Sequence, residues 1–163
     1  MIRKAVRADY PRMREIEVIA GAAFADVGLP EIAEDDGFSD EEFDELLDDG
    51  VGWVLEQDRV DAYLLGGEVG GCGHIAQVTV DPAYRGRGLG RELVDHFERW
   101  ARAAGLAALT LTTFRDVPWN RPYYERIGFR VIQPTPELRE LVALEAEEGL
   151  DPELRVCMRR DFS

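Results

Sequence analysis

One stretch limits the folds open to this chain: Val78 to Leu93, VTVDPAYRGRGLGREL. The apolar run His74-Ile75-Ala76-Gln77-Val78-Thr79-Val80 reads as a strand. It ends at Asp81-Pro82, because proline cannot donate to a sheet ladder. Arg85-Gly86-Arg87-Gly88-Leu89-Gly90 follows, and then a helix whose Leu93, Val94, Phe97 and Trp100 recur at three- and four-residue steps. Strand, glycine-rich turn and helix bring unpaired backbone N–H groups and the positive end of a helix dipole to one point, which suits a phosphate. Arg85, Arg87 and Arg91 add positive charge there, although the chain as a whole is strongly acidic.

The order of residues narrows the phosphate ligand. A Walker loop needs Lys-Ser or Lys-Thr after its last glycine, and neither is present. The dinucleotide pattern G-x-G-x-x-G fails as well. Counted from Gly86 or Gly88, it places Arg91 or Leu93 where the third glycine belongs. R-x-x-G-x-G, from Arg85 through Gly88 to Gly90, does match. Read without its context, it could also be a turn that merely links strand to helix.

The rest of the chain alternates strands and helices. Ile2 to Arg7 reads as a first strand. Asp9 is placed to cap a helix with Pro11 in its first turn and an apolar side of Met13, Ile16, Val18 and Ile19. Gly21 to Pro30 is a partly apolar loop or short helix, and Ser39-Asp40-Glu41-Glu42 is a capping box opening a helix that buries Phe43, Leu46 and Leu47. Gly52–Glu56 and Val60–Leu65 form a hairpin around Gln57-Asp58-Arg59. The helix after the glycine loop runs from about Gly88 to Ala104, and Ala108–Thr113 should lie parallel to the strand before the loop. A short helix over Asn120–Ile127, a strand Phe129–Gln133, a helix from Thr135 to Gly149 and a strand Arg155–Arg160 complete an α/β chain with a mixed, mostly antiparallel sheet.

The chain's 163 residues are expected to form a single domain, residues 1–163. With 19 Lys plus Arg against 33 Asp plus Glu, a formal charge of −14, nucleic acid is not an expected partner. No stretch is long and apolar enough to span a bilayer, no leader pattern follows Met1, and Cys72 and Cys157 lack metal-ligand spacing. The expectation is a soluble cytoplasmic protein, monomer or homodimer, with reduced thiols and no metal.

A second motif, Asn120-x-x-x-Tyr124-x-x-x-Gly128-Phe129, lies downstream of the glycine loop. Together the two motifs resemble the GNAT N-acetyltransferase superfamily, with its Q/R-x-x-G-x-G/A and N-x-x-x-Y-x-x-x-G-F patterns. The resemblance covers essentially the whole chain. It implies a six- to seven-stranded sheet splayed between the fourth and fifth strands, flanked by helices. Acetyl-CoA, the cosubstrate, is expected in that splay. Its pantetheine should run along Val78 and Val80, its pyrophosphate should meet Arg85, Gly86, Arg87, Gly88, Leu89, Gly90 and Arg91, and its thiol end should approach Asn120 and Tyr124. The helix Thr135 to Gly149 departs from the many members with a short connection there.

The chemistry the resemblance implies is direct attack of an amine on the thioester in a ternary complex. Tyr124 stands where the family often keeps the acid for the departing thiolate; the other reading is a core aromatic beside Phe129. His74 stands where members carry a catalytic Glu or His; the other reading is a hydrogen-bonded structural histidine. As a base it would give a pH–rate limb near neutrality. Strand alternation turns Gln77 to the other face, and His96 reads as surface. Glu17, Asp26, Glu31 and Glu34 could attract an ammonium, or simply form a solvated acidic face. The expected activity is acetylation of a small primary amine. Alternatives are a protein or peptide N-acetyltransferase and a non-catalytic acyl-CoA-binding module.

Overall fold

The computed structural model describes residues 1–162. Seven strands form a mixed sheet in the order β1-β2-β3-β4-β5-β7-β6, with strands β1 (Ile2–Lys4), β2 (Val51–Glu56), β3 (Val60–Val69), β4 (Cys72–Val80), β5 (Ala108–Phe114), β6 (Arg130–Ile132) and β7 (Arg155–Asp161). The helices are α1 (Tyr10–Gly21), α2 (Pro30–Ala33), α3 (Asp40–Asp49), α4 (Leu89–Ala103), α5 (Arg121–Arg126) and α6 (Pro136–Glu147). The chain groups into two compact units, Met1–Gly66 with Gln77–His96, and Gly67–Ala76 with Phe97 onward. Among the described residues, no helix is long and apolar enough to cross a membrane.

In the first unit β2 pairs antiparallel with β1 and with β3, so that Val54 faces Tyr63 across the ladder. Tyr10, Met13 and Ile16 of α1 and Phe43 of α3 pack with Val54, Tyr63 and Leu65 into one buried cluster. The opposite side of β2 carries Trp53, whose ring meets His96 of α4 edge-on at 5.0 Å. β2 is therefore covered on both sides, which explains its run of four buried residues. Two expectations change here. His96 is half-buried against an aromatic rather than a surface residue. The inner stripe of α1 runs through Tyr10, Met13, Ile16 and Glu17, while Val18 and Ile19 are exposed, because a helix repeats every 3.6 residues.

Asp9 occupies the position before α1 but makes no side-chain cap hydrogen bond. Its carboxylate instead takes two hydrogen bonds from the Arg3 guanidinium, at 2.8 and 2.9 Å, and one from the Val6 N–H. A two-pronged charge-assisted pair outcompetes a cap. Ser39 does cap α3, reciprocally with Glu42. The ambiguous stretch before it holds a 3-10 turn at Ala22–Val27 and the short α2.

In the second unit β4 and β5 pair in parallel over Gly73, His74 and Ile75 against Leu109, Thr110 and Leu111. Each strand runs on past that ladder, to Val80 and Phe114. β5 then pairs antiparallel with β7, and β7 with β6. Strand alternation gives this sheet two distinct faces. One holds Gly73, Leu109 and Leu111, against Phe97 and Ala101 of α4; a β-carbon at Gly73 would lie 3.0 Å from that of Ala101. The other holds His74, Thr110, Thr112 and Phe114, with Cys157 opposite Thr112 and Arg155 opposite Phe114. Helix α6, capped by Thr135, reaches this second face through Glu145.

Candidate functional site

The loop of the first unit is built from Asp81 onward. The Asp81 carboxylate accepts from the Ala83 N–H at 3.0 Å and from Arg12 Nη2 at 2.7 Å, while its own N–H donates to the Asp61 carbonyl. Desolvation would raise this buried carboxyl, but the Ala83 N–H and Arg12 outweigh it and hold its pKa below the usual range. So anchored, Pro82–Tyr84 form one 3-10 turn, and Arg85, Gly86, Arg87 and Gly88 lie exposed ahead of α4. Gly86 and Gly88 have φ of 81° and 76°, a region that side chains with a β-carbon rarely adopt. Leu89 and Gly90 are buried in the first turn of α4, whose leading N–H groups have no carbonyl one turn back to bind. The Arg87 guanidinium lies over the Tyr84 ring at 5.1 Å, and Arg91 is exposed. These features suit a phosphate-bearing ligand. Val78 and Val80 of β4 are half-buried, and Gln77 Nε2 donates to Thr79 Oγ1 at 2.8 Å.

The first unit also separates the acidic candidates. Asp26, Glu31 and Glu34 are exposed, whereas Glu17 is half-buried on the inner stripe of α1. Its carboxylate accepts from the Phe38 N–H at 3.0 Å, yet burial raises its pKa to about 7. The fully buried Tyr63 feels its charge.

In the second unit, His74 is 5 % exposed, and its Nδ1 lies 2.9 Å from Thr110 Oγ1. Burial lowers the imidazole to about 4, so it is neutral at physiological pH. That value moves the expected titration well away from neutrality. The second motif shapes α5: Asn120 precedes it and makes no side-chain cap bond, its carbonyl accepts from the Tyr124 N–H, and the Tyr124 carbonyl accepts from the Phe129 N–H. The Tyr124 ring meets Tyr123 at 5.3 Å and Phe129 at 5.7 Å, both edge-on. Burial raises its phenol, which therefore stays protonated.

One group on this sheet face escapes sequence reasoning. Thr112 Oγ1 lies 2.8 and 3.1 Å from the two Glu145 oxygens, and Arg155 Nη2 donates to the same hydroxyl at 3.0 Å. The Arg155 guanidinium also sits over the Phe114 ring at 4.7 Å, and its charge offsets part of the rise that burial causes in the Tyr124 phenol. Its partners come from three elements, and no local pattern joins them. Among the described residues, no cluster of His, Cys, Asp and Glu is arranged to hold a metal ion.

Residues 14–129 match the model of the Acetyltransferase (GNAT) family. A glucosamine 6-phosphate N-acetyltransferase of Trypanosoma brucei brucei is 40% identical over 58 residues, 36% of this chain and 37% of that protein. The match thus spans little more than a third of that relative's length. An amino-acid acetyltransferase of Mycobacterium tuberculosis is 28% identical over 152 residues, covering 86% of this chain and 74% of that protein. Among solved structures, the ribosomal-protein-S18-alanine N-acetyltransferase of Escherichia coli superposes with a TM-score of 0.70 at 20% identity, over 100% of this chain and 94% of that one.

Proposed function

The chain belongs to the GNAT acetyltransferase family, and we propose that it transfers the acetyl group of acetyl-CoA to a primary amine of a small molecule. The observation that carries this reading is the loop Arg85–Gly90. It pairs two left-handed glycines with a helix N-terminus and three flanking arginines, in an otherwise acidic chain. It suits the pyrophosphate of coenzyme A, whose pantetheine would follow Val78 and Val80 and whose thiol end would approach Asn120 and Tyr124. Two of the matched relatives, one named for a sugar amine and one for amino acids, support a small acceptor.

In this reading an ammonium acceptor gives up a proton to His74, directly or through a water. The nitrogen lone pair then attacks the thioester carbonyl carbon, and the C=O π electrons move onto oxygen. As the tetrahedral intermediate collapses, the oxygen electrons re-form the C=O bond and the C–S bond breaks; Tyr124 gives its proton to the departing sulfur, and the second proton of the nitrogen passes to the Tyr124 oxygen, which restores the phenol and leaves a neutral amide. The protonated phenol supports the role of acid; the imidazole is in the unprotonated state a base requires, although burial weakens it as one. With Nδ1 held at Thr110, Nε2 is the nitrogen left to receive the proton.

A thiol-release screen tests the reading. Acetyl-CoA would be mixed with amino acids, small amines, polyamines and peptides. Release that depends on a small amine supports it. Release with peptides alone transfers the activity to protein acceptors, and silence across the whole panel leaves a binding module.

A further inference from the structure

Helix α6 is the part of the chain that departs most from its family resemblance, and a chamber opens beside it. A cavity of about 240 Å3 is lined by Ile132, Pro134, Val142, Val156, Cys157 and Arg155, with neighbouring residues of the same strands and turns. Its wall is mostly apolar, and Arg155 is its one cation. The Arg155 side chain is only 10 % exposed. Its Nη2 is engaged by Thr112 and lies 3.5 Å from Glu145. Its Nε is also buried, and it has no hydrogen-bond partner among the described residues.

A buried guanidinium with one N–H unpaired is costly. A purely structural role, with Arg155 bracing α6 to β5, accounts for Nη2, Thr112 and Glu145. It accounts neither for the orphaned Nε nor for the chamber that the side chain lines. A guanidinium that keeps one N–H unpaired, on a side chain that lines an apolar chamber, suits a carboxylate. It also repels a second ammonium, which disfavours polyamines. Position adds to this. His74 meets the hydroxyl of Thr110, and Arg155 that of Thr112. These two threonines share a face two residues apart, on the order of 7 Å. His74 and Arg155 therefore engage neighbouring positions on one face of β5.

We propose that Arg155 receives the carboxylate of the acceptor, so that the amine acetylated is that of an amino acid. This rests on the acetyltransferase reading above. Glu145 and Thr112 position the guanidinium, and α6 forms one wall of the subsite.

The test compares kcat/KM across the common L-amino acids, each against its amide and its decarboxylated amine, by thiol release from acetyl-CoA. The expected result is that the best amino acid exceeds its amide at least tenfold. In Arg155→Gln the ratio should fall to near one, through a KM for the acid raised about 10- to 100-fold. Arg155→Lys, which keeps the charge, should retain part of the preference. If the glutamine variant fails to fold, the wild-type ratio and the lysine variant still decide. Amides or plain amines acetylated as well as the acids overturn the subsite and leave the acetyltransferase reading standing. A preference that persists undiminished in a folded Arg155→Gln also overturns it. No thiol release from any compound overturns both.

Discussion

His74 and Thr110 face each other across the short parallel ladder of β4 and β5, with Nδ1 of the imidazole 2.9 Å from the threonine hydroxyl. The contact fixes the ring's orientation, and burial holds the ring neutral. The contact leaves Nε2 as the nitrogen that would take a proton, while burial makes the charged ring costly. Folding therefore places an uncharged imidazole in the interior.

The first prediction concerns activity. With the imidazole at about 4, a saturating small amine should show no His74 limb between pH 6 and 8. Its limb should appear near 4, and any rise at neutral pH belongs to another group. His74→Ala should cost about 10²-fold or more in kcat if the ring is the base. Wild-type turnover in the alanine variant would return His74 to a structural role. Thr110→Val, close in shape but without the hydroxyl, should destabilise by about 1–3 kcal/mol, because a buried ring nitrogen loses its partner.

The second prediction concerns stability and pH. The folded value of about 4 lies below the ordinary 6.5. Between these values the unfolded chain binds more protons, so stability is full above 6.5 and is lost as pH falls toward 4. The loss is on the order of 3 kcal/mol from this ring. Urea melts at pH 7 and 4.5 should show a smaller acid loss in His74→Gln than in wild type. Equal losses would show that the imidazole is not buried neutral.

The glycine loop, α4 and the hairpin were legible because each rests on residues adjacent in sequence: a positive φ wants glycine, a turn wants Gln57-Asp58-Arg59, and a helix repeats at short range. The Thr112–Glu145–Arg155 group was not. Its bonds span 33 and 43 residues, and Glu145 looks like one more charge on an acidic helix until α6 is seen to turn it inward. Asp9 misled for a related reason. A cap is a local signal, and it lost to Arg3, which only the folded chain brings within reach. Trp53 hid His96 in the same way, since an edge contact between β2 and α4 leaves no trace in either segment.

The third prediction separates the loop glycines. A β-carbon at Gly86 or Gly88 meets nothing within 4 Å, so only the dihedral resists substitution. Left-handed backbone costs about 1–2 kcal/mol for other residues. Gly86→Val with Gly88→Val should stay folded by circular dichroism and weaken acetyl-CoA binding tenfold or more by calorimetry. Unchanged affinity would remove the loop from the cofactor site.

The fourth concerns Tyr124. Tyr124→Phe keeps the ring contacts with Tyr123 and Phe129 and deletes the proton. It should lower kcat on the order of 10²-fold and leave acetyl-CoA affinity intact. Wild-type turnover would make the residue a packing aromatic.

The last prediction concerns Glu17, whose sign is opposite to that of His74. Burial raises its carboxyl from 4.5 to about 7. Over that interval the folded chain holds a proton that the unfolded chain has released, so stability is lost as pH rises from 4.5 through 7. Glu17→Gln removes the charge and keeps an amide oxygen for the Phe38 N–H. The variant should match wild type near pH 4.5 and exceed it above pH 7 by at most about 2 kcal/mol, after allowing for screening at a half-buried site. Urea melts of both proteins at pH 5 and 8 measure this difference. A constant gap between them would mean that Glu17 stays ionised throughout. The same variant reports on the acceptor. A folded Glu17→Gln whose KM for the amine is unchanged would remove this carboxylate from amine recognition, and a raised KM with kcat intact would place it there.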